Sequence, residues 1–92
     1  MIKHLDITIT GKVQGVGFRY SAIDEGLELG LTGTVKNVDR NKIQIEAEGE
    51  VESLKLFLKW CHTGPQGARI EKVDYASTEE LKNLEGFSAE FE

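Results

Sequence analysis

The spacing of apolar residues constrains this chain more than any other feature. It runs every second residue, then every third or fourth, then every second through two segments, then every third or fourth again, and finally every second. In residues 2–10, Leu5, Ile7 and Ile9 alternate with His4, Asp6, Thr8 and Thr10. A period of two with β-branched residues predicts a half-buried strand. In residues 18–29, Phe18, Ala22, Gly26 and Leu29 share one helical face, and Gly30 stands where a C-terminal cap glycine belongs. Residues 32–38 and 42–48 alternate on either side of an Asp39-Arg40-Asn41 turn, which reads as a β-hairpin with Ile43, Ile45 and Ala47 inward. Val51, Leu54, Leu58 and Cys61, with Phe57 beside them, form a second helical stripe that ends at His62-Thr63-Gly64-Pro65. Residues 69–77 predict a strand, residues 78–86 a polar surface loop, and Phe87, Ala89 and Phe91 a short last strand.

This order is β-α-β-β-α-β plus a final β. It predicts an α+β, ferredoxin-like split β-α-β sandwich, with two helices on one face of an antiparallel sheet. Residues 1–92 read as a single domain, since no linker or repeat divides them. The architecture hosts many activities, so function has to come from a site. Composition removes several classes. The net charge of −5 argues against nonspecific binding to nucleic acid or to an anionic membrane surface. No apolar stretch approaches the length of a membrane span or a signal-peptide core. A lone cysteine, Cys61, cannot close an internal disulfide, nor make a structural zinc site with His4 and His62. Together with the lack of a targeting segment it suggests a reducing cytoplasm.

The segment Gly11-Lys12-Val13-Gln14-Gly15-Val16-Gly17-Phe18-Arg19 joins the first strand to the first helix. Glycines there let backbone amides turn inward, and the helix adds its N-terminal amides and the positive end of its dipole. Arg19, in the first turn, can fork onto a phosphate or carboxylate. The segment is not a Walker A loop, because Phe18 and Arg19 follow Gly17 where Lys-Ser/Thr would stand. Nor is it a dinucleotide fingerprint, because Tyr20 occupies the place of the third glycine. Glycine content alone fits a tight strand–helix connection equally well.

The complete string is more specific. It resembles the signature G-x-V-Q-G-V-x-F-R of the acylphosphatase family. Leu29-Gly30-Leu31, Gly33 and Val35-Lys36-Asn37 are similar to that family's L-G-L-x-G-x-V-x-N, and the likeness runs on through residues 51–58, Gly64-Pro65, Ala68 and Val73. Three positions depart from the pattern. Thr34 stands where an aromatic residue is usual and is expected to alter packing beside the site. Asn41 replaces a glycine and fits a positive-φ turn position. Gly26 replaces an alanine, at a cost of about 1 kcal/mol in helix propensity.

The resemblance implies hydrolysis of the carboxyl–phosphate bond of a small-molecule acyl phosphate, with no metal or other cofactor. It implies that Arg19 binds the phosphoryl group, that Asn37 holds the attacking water, and that the amides of Gly15, Val16, Gly17, Phe18 and Arg19 form the phosphate cradle. No nucleic-acid or membrane partner is implied, and a monomer in the cytoplasm is expected. The alternative is a catalytically weak acyl or carbamoyl phosphate-binding module, like the acylphosphatase-like domain at the front of hydrogenase-maturation carbamoyltransferases. A chain of 92 residues that starts at Met1 argues against that alternative. An RNA-binding domain of the same architecture would need aromatic residues on its central strands. The third predicted strand, Lys42-Ile43-Gln44-Ile45-Glu46, has none.

The remaining candidates read as structural. Cys61 belongs to the core. His4 and His62 read as surface or strand positions. Lys12 and Lys36 read as solvated charges, with a local field that draws in an anion as the alternative. Glu46, Glu48, Glu50 and Glu52 read as solvated.

Overall fold

In the computed structural model, which describes residues 1–90, the alternating periods become seven elements. They are β1 (Ile2–Lys12), α1 (Phe18–Glu28), β2 (Thr32–Asp39), β3 (Lys42–Glu50), α2 (Val51–Cys61), β4 (Arg69–Thr78) and β5 (Phe87–Glu90). The part of the last strand expected at Phe91 lies outside the described residues. The sheet order is β4-β1-β3-β2-β5. The first four strands pair antiparallel throughout, as the split β-α-β pattern requires. β5 adds parallel to β2, which makes the five-stranded sheet mixed.

Both helices cover one face. Leu5, Ile7 and Ile9 of β1, Val35 of β2 and Ile43, Ile45 and Ala47 of β3 meet Phe18 and Ala22 of α1 and Leu54, Phe57 and Cys61 of α2 in one core. Each large apolar side chain buried there contributes roughly 1.5–3 kcal/mol. The most buried stripe of α2 runs through Leu54, Phe57 and Cys61, with Leu58 only half-buried beside it. α1 ends as its glycine foretold. The Leu31 amide donates to the Gly26 carbonyl at 2.9 Å and the Gly30 amide to Leu27 at 3.0 Å, a Schellman arrangement with Gly30 at φ 76°.

Gly26 has a packing role that helix propensity does not show. A Cβ on Gly26 would lie 2.6 Å from Cδ2 of the Phe87 ring, and a Cβ on Gly33 would lie 2.8 Å from Cε2 of the same ring. Phe87, buried and 5.8 Å from the Phe57 ring centre, thus wedges between α1 and β2 in space that only glycines leave. The roughly 1 kcal/mol lost by glycine in the helix is offset by this seat for β5.

Two register shifts bend the sheet beside the glycine loop. One lies between Thr10 and Gly11 of β1 against β4, and it accounts for the phase break between Ile70 and Val73. The other lies between Asn37 and Asp39 of β2. Bulges of this kind re-aim side chains at sheet rims. The Asn41 expectation is not met. Among the described non-glycine residues positive φ occurs at Asn83, whereas the Asn41 carbonyl accepts the Gly11 amide at 2.8 Å and ties the turn to the end of β1.

The sheet's other face corrects one sequence reading and decides another. Glu48 is 5% exposed rather than solvated, and of the two alternatives for His4 the strand position holds, with the side chain 1% exposed. Residues 79–86 run over this end of the face, and the amides of Lys82 and Leu84 donate to the Glu48 carboxylate at 2.6 and 3.0 Å. Three backbone and ring donors thus gather on one carboxylate, with His4 Nδ1 at 2.7 Å. Burial pushes the Glu48 carboxyl up, but the Leu84 and Lys82 amides and His4 outweigh it and hold it below the usual range. A polar stretch of sequence does not reveal that its backbone amides need an acceptor beneath it.

Candidate active site

The glycine loop leaves β1 at Lys12 and enters α1 at Phe18. Its two ends are anchored by apolar side chains. Val13 and Phe18 are 1% and 2% exposed, and the Phe18 ring packs against Trp60 with centroids 5.3 Å apart. Between these anchors Gly15 (φ 77°) and Gly17 (φ 72°) take left-handed conformations that cost most L-residues roughly 1–2 kcal/mol. The Gln14 side-chain amide donates to the Asp39 carbonyl and fastens the loop to the β2–β3 turn.

Gly17 is the N-cap residue of α1. It supplies no side-chain cap, and the first turn carries no acidic residue. The first intrahelical bond runs from the Ser21 amide to the Gly17 carbonyl at 3.0 Å, so the preceding amides have no acceptor within the helix. Uncapped amides at the positive end of a helix dipole attract an anion.

These elements border a cavity of about 160 Å³ lined by Val13, Gln14, Gly15, Gly17, Phe18, Arg19, Tyr20 and Asn37. The structure therefore brings Arg19, half-buried in the first turn of α1, and Asn37, at the bulged end of β2, to one cavity. Sequence reasoning placed these two on compatible elements but had no means of showing that they converge. Among the described residues, Asn37 Oδ1 is buried without a hydrogen-bond partner. An unpaired buried amide oxygen costs about 1–3 kcal/mol, so it stands ready to accept a hydrogen bond. Among the described residues the lining contains no carboxylate, imidazole or thiolate, the donors that ordinarily hold a transition metal.

Of the expected cradle, Gly15, Gly17, Phe18 and Arg19 line the cavity, whereas Val16 is half-buried outside that lining. Tyr20 was not singled out by sequence. It follows Arg19 on the helix and is 65% exposed at the cavity. Thr34 does not lie beside this site. Strand alternation puts it, with Lys36, on the open face of the sheet, where both border a polar groove with Asp6, Glu46 and Lys82. Lys36 therefore faces away from the cavity that Asn37 lines, and Lys12 is not among the lining residues. Cys61 is buried in the core, and that burial, followed by the charge of Glu25, pushes its thiol up to about 12. No helix among the described residues is long and apolar enough to cross a membrane.

Comparison with known proteins points the same way. The family model described as Acylphosphatase matches residues 5–89. An acylphosphatase of Anaeromyxobacter dehalogenans (strain 2CP-C) is 39% identical over 85 residues, covering 92% of this chain and 91% of that protein. The crystal structure of acylphosphatase from Bacillus subtilis superposes with a TM-score of 0.92 at 31% identity, over 99% of this chain and 100% of that one. Full-length HypF, in its phosphate- and nucleotide-bound form, is similar over 99% of this chain but only 12% of its own, with a TM-score of 0.90 and 28% identity.

Proposed function

The chain belongs to the acylphosphatase family, whose reaction is hydrolysis of acyl phosphates, and from that premise we propose how its own residues carry the reaction out. The amides of Gly15, Val16, Gly17, Phe18 and Arg19 and the Arg19 guanidinium hold the peripheral oxygens of the phosphoryl group. These contacts strengthen as charge spreads over those oxygens in the transition state. Asn37 Oδ1 accepts a hydrogen bond from the attacking water and aims its oxygen at phosphorus. An amide is too weak a base to take the proton, and a loose transition state needs the water placed more than deprotonated. The phosphorus–oxygen bond to the acyl group breaks as the water oxygen bonds to phosphorus. The leaving carboxylate has a parent acid of pKa about 4, so it departs without a general acid. The water's protons pass to the phosphate product.

The observation that carries this reading is the convergence of Arg19, the N-terminal end of α1 and, unpartnered among the described residues, Asn37 Oδ1 on one small cavity. Such a site calls for no histidine, thiol or carboxylate pair. We place the enzyme in the cytoplasm as a monomer, in keeping with a single buried thiol and a net charge of −5.

The test is hydrolysis of benzoyl phosphate in EDTA by wild type, Arg19→Ala and Asn37→Ala. Turnover should survive chelation and fall by about 10²–10³-fold in Arg19→Ala, the usual loss when one transition-state donor goes. Asn37→Ala should lose about 10²-fold with little change in KM, as misplacement of a reactant does. Full rate in Asn37→Ala would refute the water-positioning role. The likeness to a small part of HypF supports a second reading, a phosphate-binding module that turns over poorly. Phosphate affinity in a folded wild type without turnover would select it.

A further inference from the structure

On the open face of the sheet, the antiparallel register sets Asp6 of β1 directly opposite Glu46 of β3, and His4 directly opposite Glu48. Like charges facing each other across a strand pair are destabilising, so the Asp6–Glu46 pair calls for a cation. Glu48 accepts two backbone amides and lies 2.7 Å from His4 Nδ1. An ionised carboxylate only accepts, so the ring donates from Nδ1 to Glu48 and turns Nε2 to the other side. Nε2 lies 3.3 Å from Asp6 Oδ1 and 3.4 Å from Glu46 Oε1, with all three atoms within 4.8 Å of one another, and in the ion-free protein it donates its proton to these carboxylates. An ion that displaced the Nε2 proton and the Lys82 ammonium would find three donor atoms converging on it.

A tetrahedral centre with bonds of about 2.0–2.2 Å has edges of about 3.3–3.6 Å, the separations seen here from Nε2 to both carboxylates. We propose that His4 Nε2, Asp6 Oδ1 and Glu46 Oε1 bind a divalent transition-metal ion of the zinc class, with water completing its coordination, on the sheet face opposite the acyl phosphate cavity. The ligands stand on two paired strands, a rigid support that fixes their spacing. Glu48 is the carboxylate behind the ligating imidazole and sets its tautomer and ring orientation. Asp6 and Glu46 border a polar groove open to solvent, shared with Thr34, Lys36 and Lys82. A buried imidazole among the donors favours zinc, cobalt or nickel over the all-oxygen cations magnesium and calcium. Lys82 is the built-in competitor. Its ammonium pairs with Glu46 Oε1, and at 61% exposure its side chain can swing into water when the ion arrives.

The test is calorimetric titration of Zn²⁺ into the full chain after EDTA stripping and dialysis, with visible absorption of bound Co²⁺ reporting coordination by nitrogen and oxygen. Wild type should bind one ion per chain. Asp6→Asn and Glu46→Gln should each weaken binding at least tenfold, since even outer residues of a metal site cost 10–100-fold. Lys82→Met should bind at least as tightly as wild type. Asp6 and Glu46 are 45% and 22% exposed, so their variants keep the fold even where His4→Ala does not. Circular dichroism checks that point. Absence of saturable binding in wild type would overturn the proposal and leave a protonated His4 as the cation of the cluster. Binding that Asp6→Asn and Glu46→Gln leave unchanged would overturn it too, by putting the ion elsewhere.

Discussion

Gly26→Ala ought to stabilise a helix, and in this protein it should do the reverse. Propensity favours alanine by about 1 kcal/mol in a helix interior. The new methyl, however, would lie 2.6 Å from Cδ2 and 3.0 Å from Cζ of Phe87, closer than carbon atoms pack. The ring has little room to yield, because Gly33 backs it on β2 and the tilted Phe57 ring lies 5.8 Å away. Overpacking of a filled core costs about 1–3 kcal/mol, and a wedged ring belongs at the upper end of that range. The balance is a net loss of about 1–2 kcal/mol. For a domain of this size each kcal/mol lowers Tm by about 4–8 °C. The effect also reaches the chemistry, since α1 carries Arg19 and β2 carries Asn37 on either side of the ring. A shift of α1 should lower kcat for benzoyl phosphate by more than the folded fraction alone explains. Thermal unfolding of Gly26→Ala, Phe87→Leu and the double variant tests this. The double variant should lie well above the sum of the single losses, because the smaller side chain vacates the clash. A Gly26→Ala protein with a raised Tm would refute the packing argument.

Three further outcomes follow from the same geometry. A Cβ at Gly17 meets no heavy atom within 4 Å, so Gly17→Ala should cost only the left-handed strain, about 1–2 kcal/mol. A Cβ at Gly11 runs into the Arg69 carbonyl across the bulge, so Gly11→Ala should cost clearly more; equal urea-unfolding losses would contradict this. Glu48→Gln weakens bonds from His4 and from the Lys82 and Leu84 amides, and should cost about 2–3 kcal/mol in urea unfolding with faster amide exchange in residues 79–86. Cys61, with its thiol pushed up to about 12 by burial and then by Glu25, should resist iodoacetamide at pH 8 in the native protein and react on unfolding; rapid native labelling would show that the helix opens readily.

Much of the fold was legible because local rules and global packing agree along most of the chain. Ile43, Ile45 and Ala47 alternate because one face of β3 is covered, and Phe18, Ala22 and Gly26 recur at helical spacing because one face of α1 is covered. Glu48 broke the rule. It sits among alternating polar residues and is buried by backbone amides from residues 79–86, whose own side chains are mostly exposed. No side-chain pattern carries that information. Thr34 and Lys36 were read by nearness in sequence to Asn37, but a strand sends neighbouring residues to opposite faces, and only the core assignment of Val35 tells which face is which.

By itself the sequence determined the order of elements, the family, and a loop whose glycines and Arg19 suit an anion. The family rests on the likeness of its motifs, whereas the elements and the loop rest on short-range chemistry: hydrophobic period, allowed φ, and the N-terminal amides of a helix. The tertiary structure decided what lies together. It brought Asn37, at the end of β2, to the cavity that Arg19 lines, seated Phe87 on two glycines from different elements, and set Asp6 opposite Glu46 by strand register. Such pairings join residues far apart in the chain. Their free energy comes from burial and register across the whole sheet, which no local window of sequence contains.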